Sequence, residues 1–578
     1  MVEQDYAAYD EVDQAVWRFV LLQLSSRLGQ RAHPAYQLGL KASGISAERI
    51  PSIAEMNERL AALGWGAVCV DGFIPPRAFQ EFQANGLLPI AAEVRTREHL
   101  VYTPAPDIIH EAAGHAPILA DPVYAAYLRR VGELGARAFT LPEDTAVHEA
   151  THTLSEIKED GIASPASVAR AEQGLAEALQ SLTRSSEATR LSRLYWWTAE
   201  YGLVGRPDDY RIYGAGLLSS LGESHSCHSP EVLKLPLDER CLDQGFDITR
   251  PQPQLFVARD FEALHELSER VEGSLARTRG GAVALAAAQQ SRELSTLSFE
   301  SGAQAIGVLT EIVGDVGAPA LLVLAGPCAI ARAGVILADQ GPSVHTSGLC
   351  IPLGRLASGT RLEDLCEAEV VRRIDPSTRR LRLEFECGAR VEGVFERRIG
   401  LPGGRTAVVK LSQALITVPR HAAIELREFS LVAAGAFVTA EPGASDKSFY
   451  EAAEASSGIG SASEREPGHA KPDAPKRVPR ARPLSSEQRA LRACYARVSS
   501  ARGNSEVEGP FAAVEQQLAA FHPREWLLRF AMLEELARRG SRSALALGLE
   551  ATLERLEADY GGEQPIASGL KSLRTANA

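Results

Sequence analysis

VYTPAPDIIHEAAGHAPILAD, from Val101 to Asp121, carries two histidines five residues apart behind a Pro-x-Pro-Asp turn. Proline lacks a backbone N–H and its ring clashes inside a helix. A helix can therefore start only after Pro104 and Pro106, with Asp107 as its N-cap. His110, Glu111 and His115 then fall on its first turns. At about 100° per residue, a five-residue step sets the two imidazoles on adjoining faces. They can meet one metal if Gly114 lets the helix end or bend there. Two neutral imidazoles suit iron, zinc, copper or nickel, and a carboxylate from elsewhere would complete a facial set. The spacing alone is a weak motif, which a pair of ordinary helix histidines also satisfies.

Two blocks follow downstream, YWWTAEYG at Tyr195 to Gly202 and YGAGLLSSLGE at Tyr213 to Glu223. A fourth, VDGFIPPRAF at Val70 to Phe79, lies upstream. In order and spacing the four resemble the pterin-dependent aromatic amino acid hydroxylases, from about Tyr6 to about residue 270. The resemblance implies a monooxygenase that uses Fe(II), a tetrahydropterin (tetrahydrobiopterin or similar) and O2. One oxygen atom enters the ring of an aromatic amino acid and the other leaves on the pterin.

The resemblance also assigns residues. It implies iron ligation by His110, His115 and Glu200. Glu200 stands in an aromatic, apolar run, where a carboxylate is costly unless paired or bound to metal. It implies pterin contacts at Gly72, Ile74 and Phe79, the phenyl stacking on a flat heteroaromatic ring, with Glu111 and Tyr195 close by. Amino acid contacts are implied at Arg95, Thr103, Pro106, Trp196, Tyr201, Ser219 and Ile248. Arg95 would grip the carboxylate through its planar fork, with Thr103 and Ser219 helping and Asp107 holding the arginine. The chain departs from the animal members at Pro76 and Pro89, where they carry Ser and His; a proline offers no side-chain hydrogen bond there.

Trp196 would crowd a bicyclic substrate, and the apolar Ile248 prefers a ring without a hydroxyl. Both favour phenylalanine, converted to tyrosine, although such apolar discrimination is only about 1–3 kcal/mol. The same chemistry on tyrosine or tryptophan is the alternative. A zinc metalloprotease is a further one, because His148-Glu149-Ala150-Thr151-His152 fits H-E-x-x-H. No matching third-ligand motif follows it, and the expectation is surface histidines on a helix of an insert at about 136–190.

The 578 residues leave room for about three or four domains. A net charge of −13 without an obvious basic face argues against nucleic acid as a partner. The acidic start, MVEQDYAAYDEVD, lacks the apolar core of a signal peptide. The most apolar run, 316–331, is too short for a bilayer and is broken by Pro319 and Pro327. Eight scattered cysteines without a C-x2-C pair point to reduced thiols, hence to a cytoplasmic protein away from membranes.

The chain thus reads as multidomain. A mostly α-helical, hydroxylase-like catalytic domain spans 1–275, and a connecting helix spans 276–299. A β-rich accessory domain follows at 300–440, with strands expected at 320–324, 380–386, 407–411 and 433–439. A flexible, disordered linker rich in Pro, Gly and Ser covers 441–485. A small helical C-terminal region covers 486–578, with Trp526, Leu527, Phe530 and Leu533 on one stripe, as core or as a partner contact. The accessory domain reads as a packing or interaction module. A non-catalytic role, in which the second half docks a partner and governs the function, is the remaining rival. Oligomeric state is left open by the sequence.

Overall fold

The computed structural model describes residues 1–70, 74–101, 106–159, 164–247, 251–456, 485–561 and 565–576. Local signals set the first elements. Asp10 caps helix Glu11–Leu28 by accepting from the backbone N–H groups of Val12 and Asp13. The helix buries Val16, Phe19, Val20 and Leu24, the apolar positions that recur at helical spacing. Ser52 and Glu55 form a capping box at the start of helix Ile53–Leu60. A 3-10 turn then ends at Gly64, whose φ of 73° favours glycine.

Strands Gly66–Val70 and Leu87–Ala91 pair in parallel beside helix Pro76–Ala84. A second small sheet runs in the order Asp209–Ile212, Leu203–Arg206, Gln254–Ala258, Leu233–Pro236. The helices around these sheets share one apolar core. In the expected insert, helices Pro142–Glu159 and Pro165–Gln180 lie against each other, and the second buries none of its side chains.

The second half is β-rich, with antiparallel pairing throughout among the described residues. One sheet runs Val335–Ile336, Ala318–Arg332, Ala303–Asp315, Leu294–Phe299, Phe437–Pro442, with Leu349–Pro352 also on Ala318–Arg332. The other runs Arg380–Glu384, Arg390–Gly400, Thr406–Thr417, Ile424–Val432.

Four expectations need correction. The stretch 276–299 is not one helix: Gly281–Ser291 is helical, but Leu294–Phe299 is already a strand, paired on both edges. The strand from Arg380 stops at Glu384, because Gly388, at φ 83°, turns the chain back. Of the stretch 433–439 only 437–439 is strand, the start of Phe437–Pro442, and 433–436 lies between strands. There the chain crosses from one sheet to the other, and Gly435, at φ 73°, makes the turn. Within 441–485, helix Ser448–Ser456 is ordered by burial of Phe449 among Ile306, Ala329 and Ala331. The remainder of the expected linker, 457–484, lies outside the described residues.

The C-terminal helices Ser486–Arg502, Glu508–Phe521, Leu527–Arg538, Ala544–Tyr560 and Ile566–Ala576 return to the first half of the chain. Their apolar stripe joins the core of the first half, against helix Glu11–Leu28. Phe19 meets Trp526 and Phe530 edge-on, with centroids 5.1 and 4.8 Å apart. All eight cysteines are free thiols. No helix among the described residues is long and apolar enough to cross a membrane.

Candidate active site

The segment Ile109–His115 is a π-helix. Its i→i+5 hydrogen bonding brings residues five apart one turn above one another. This replaces the bend expected at Gly114: a wider turn closes the five-residue step. Gly114 serves packing instead, since a Cβ there would lie 2.7 Å from the Ala215 carbonyl oxygen. The start is as the sequence suggests, with Asp107 Oδ1 accepting from the His110 N–H at 3.0 Å. A second π-helix, Trp196–Glu200, presents Glu200. Gly214 lets the two blocks close up, because a Cβ there would meet the Glu200 carbonyl oxygen at 2.5 Å.

Glu200 reaches both histidines. Its Oε1 lies 3.0 Å from His115 Nε2 and its Oε2 lies 3.2 Å from His110 Nε2. The three donors lie within 4.8 Å of one another, the one such group of three His, Cys, Asp or Glu side chains among the described residues. His110 Nδ1 is 3.0 Å from Ser219 Oγ, which orients the ring and turns Nε2 toward Glu200. Burial disfavours charge on both partners, but their mutual attraction outweighs it. Glu200 is held well below the usual carboxylate range, and His110 is raised to about 9. Two imidazole nitrogens and one carboxylate at this separation fit a divalent iron with open coordination positions. Glu111 Oε2 is buried 4.0 Å from His115 Nε2 with no hydrogen-bond partner among the described residues, an arrangement that suits a carboxylate facing a bound polar group.

Aromatic side chains line the surroundings. Phe79 is half-buried and meets the edge of Tyr195 at 5.6 Å. The Tyr195 hydroxyl accepts from buried Gln83 Nε2 at 2.7 Å. Trp196 stacks on Tyr201 at 4.6 Å on one contact and on Phe246 at 4.2 Å on another. Arg95 is buried with its fork on Asp107: Nε to Oδ2 at 2.8 Å and Nη2 to Oδ1 at 2.9 Å. Its Nη1 donates to the Ser219 carbonyl at 3.2 Å. Of the five guanidinium N–H groups, these bonds leave two.

The model of the family described as biopterin-dependent aromatic amino acid hydroxylase matches residues 4–152 and 162–278. The phenylalanine-4-hydroxylase of Pseudomonas aeruginosa is 30% identical over 271 residues, 46% of this chain and 86% of that relative. That of Chromobacterium violaceum is 31% identical over 262 residues, 45% of this chain and 73% of that relative. The chain belongs to the biopterin-dependent aromatic amino acid hydroxylases. Among solved structures, iron- and phenylalanine-bound phenylalanine hydroxylase from Chromobacterium violaceum is 28% identical, covering 47% of this chain and 88% of that one, with a TM-score of 0.36.

In this hydroxylase the sequence-derived residues fall into three groups. His110, His115, Glu200, Glu111, Ser219 and Arg95 are joined by the contacts above, and Phe79 and Tyr195 join them through the Tyr195 ring, 6.2 Å from that of His115. Trp196 and Tyr201 form the adjoining aromatic wall. Ile74 is half-buried and Pro106 exposed, while Gly72, Thr103 and Ile248 lie outside the described residues. The motif His148–His152 gathers no third ligand among the described residues. His152 instead lies 3.7 Å from Glu156 one turn on.

Sequence reading missed Phe246, Gln83 and Glu223. Phe246 sits two residues before the substrate position proposed at Ile248, in a loop without periodicity. Gln83 is on an amphipathic helix and gives no sign that it is fully buried. Glu223 closes the YGAGLLSSLGE block and accepts from the Tyr201 hydroxyl at 3.4 Å. Burial pushes its carboxyl up to about 7, against hydrogen bonds from Ser226 and Tyr201.

Proposed function

We propose that this hydroxylase is a phenylalanine 4-monooxygenase, which converts L-phenylalanine to L-tyrosine with ferrous iron, a tetrahydropterin and O2. The observation that carries the reading is the convergence of His110, His115 and Glu200 within 4.8 Å, inside a family whose cofactor is a biopterin. The names of the relatives, phenylalanine-4-hydroxylases at about 30% identity, support the choice of substrate.

In this reading His110 and His115 present Nε2 to the iron and Glu200 presents its carboxylate. Iron and pterin together supply the activation of O2. The protein supplies geometry. Ser219 keeps the His110 ring turned. Phe79 offers a half-buried face for the pterin, with Ile74 and Gly72 along its edge and Glu111 and Tyr195 beside it. Arg95, steadied by Asp107, takes the amino acid carboxylate with its two remaining N–H groups, helped by Thr103 and Ser219. Trp196, backed by Tyr201 and Phe246, bounds the space for the ring, with Pro106 and Ile248 completing it. A wall of stacked indole leaves less room for a bicyclic side chain, which favours phenylalanine over tryptophan.

The test is tyrosine formation by the purified, Fe(II)-loaded protein, with and without tetrahydropterin, with phenylalanine, tyrosine and tryptophan in competition. Tyrosine formed only with pterin, and chiefly from phenylalanine, is expected. Preferred hydroxylation of tyrosine or tryptophan would keep the family chemistry and overturn the substrate.

A further inference from the structure

The chain from Ala92 to Arg97 is tied down at several points. The Tyr9 hydroxyl donates to the Ala92 carbonyl at 2.6 Å. The Ile108 N–H donates to the Glu93 carbonyl at 2.9 Å. Arg95 is held by Asp107. Arg97, two residues on, pairs through Nη1 with Glu525, in the turn between helices Glu508–Phe521 and Leu527–Arg538, and through Nη2 with Glu98 at 3.1 Å. The Glu525 side chain is 2% exposed. It also accepts from the Tyr495 hydroxyl at 2.8 Å and from the Leu528 N–H at 3.2 Å. A buried carboxylate needs a cation and hydrogen bonds; Arg97 is its cation and Tyr495 fixes its direction.

A second tie joins the C-terminal helices to the stretch that holds Ala92. Arg492 pairs with Asp10 at 2.7 Å, next to the Tyr9 that holds Ala92. The module itself is seated firmly. Gly569 lies against Phe19 and Phe530, with no room for a Cβ. Arg18 grips Glu534 at 2.9 and 3.0 Å.

We propose that the C-terminal helices are a working part of the amino acid site: Glu525, acting through Arg97, fixes the segment that carries Arg95. Arg97 and Glu525 are positioning residues for the amino acid substrate. This rests on the reading of Arg95 as the carboxylate-binding arginine. Displacing a binding group by a fraction of an ångström weakens what it orients, while the iron ligands, on other segments, stay in place.

The experiment uses the full-length, Fe(II)-loaded protein and L-phenylalanine at saturating tetrahydropterin. It compares Arg97→Ala, Arg97→Lys, Glu525→Gln and the double variant Arg97→Ala/Glu525→Gln. The control is Arg18→Ala, which loosens the same interface away from the Arg95 segment. Arg97→Ala and Glu525→Gln are each expected to raise the KM for phenylalanine by about tenfold, with kcat and bound iron near wild type. The double variant should be no worse than either single one, and Arg97→Lys should recover part of the loss. Calorimetric binding of phenylalanine should weaken in parallel. Arg18→Ala should lower Tm and leave KM unchanged.

A Glu525→Gln or Arg97→Ala protein with unchanged KM, or an Arg18→Ala protein with KM raised equally, overturns the proposal. An Arg95→Ala protein distinguishes the two levels. If its KM for phenylalanine is unchanged, the underlying reading of Arg95 fails. If its KM rises while the Arg97 and Glu525 variants bind normally, only the present proposal fails.

Discussion

Arg95 and Asp107 face each other as a two-pronged ion pair with both side chains almost fully buried. Burial alone would raise the Asp107 carboxyl, but Arg95 and the N–H groups of Arg95 and His110 outweigh it and hold the carboxyl below its ordinary value. A depressed carboxyl contributes stability that is present above its unfolded value of about 3.8 and is lost as pH falls through the folded value. Asp107→Ala leaves a buried arginine without its counter-charge and should cost about 3–5 kcal/mol. Chemical denaturation at pH 7 measures this, and a loss below 1 kcal/mol would show that the arginine finds another partner.

His110, His115 and Glu200 are the proposed iron ligands. His110→Ala, His115→Ala or Glu200→Gln should each lower bound Fe(II) and activity together, because three donors at this spacing leave no spare ligand. His148→Ala and His152→Ala should leave the metal content unchanged. Metal analysis after dialysis checks both, and a loss of metal in the His148 variant would restore the protease reading.

Trp196 is held flat between Tyr201 and Phe246. Trp196→Phe opens the wall and should raise kcat/KM for tryptophan relative to phenylalanine by roughly tenfold, the worth of an apolar pocket change. Competition between the two amino acids reads this ratio directly; an unchanged ratio would place the selectivity elsewhere.

Glu223 has the opposite electrostatics to Asp107. Burial raises its carboxyl from 4.5 to about 7. Its contribution is fully present below pH 4.5 and is lost as pH rises through 7. Glu223→Gln should therefore flatten the fall in stability between those pH values and stabilise the protein at pH 8 by up to roughly 3 kcal/mol. Thermal melts from pH 5 to pH 8 test the sign.

The C-terminal helices are part of the core of the first half, so they cannot be removed cleanly. A fragment ending at residue 275 exposes Phe19 and its neighbours and should be unstable or aggregate. In the full chain, Phe19→Ala removes a ring packed on Trp526 and Phe530 and should cost about 3–5 kcal/mol. A well-folded, soluble 1–275 fragment would contradict the shared core.

What the sequence by itself determined is what neighbouring residues decide together. Ser52 with Glu55 opens a helix and Gly64 closes the turn after it; Asp107 starts the helix that carries His110. The stripe at Trp526, Leu527, Phe530 and Leu533 marks a buried face, and four motif blocks name the family and the donor types. Only the tertiary structure decided what depends on distant partners. Glu200 meets His115 across 85 residues, and Arg97 meets Glu525 across 428. The π-turn that closes the five-residue histidine step is held by packing against Ala215 and by the demand of Glu200 for both rings. The end of a strand at Val432, and the burial of Gln83 and Phe246, follow from which surface lies opposite. Caps and periodicity act over one or two turns of chain, whereas burial and charge pairing are properties of the space that the folded chain encloses.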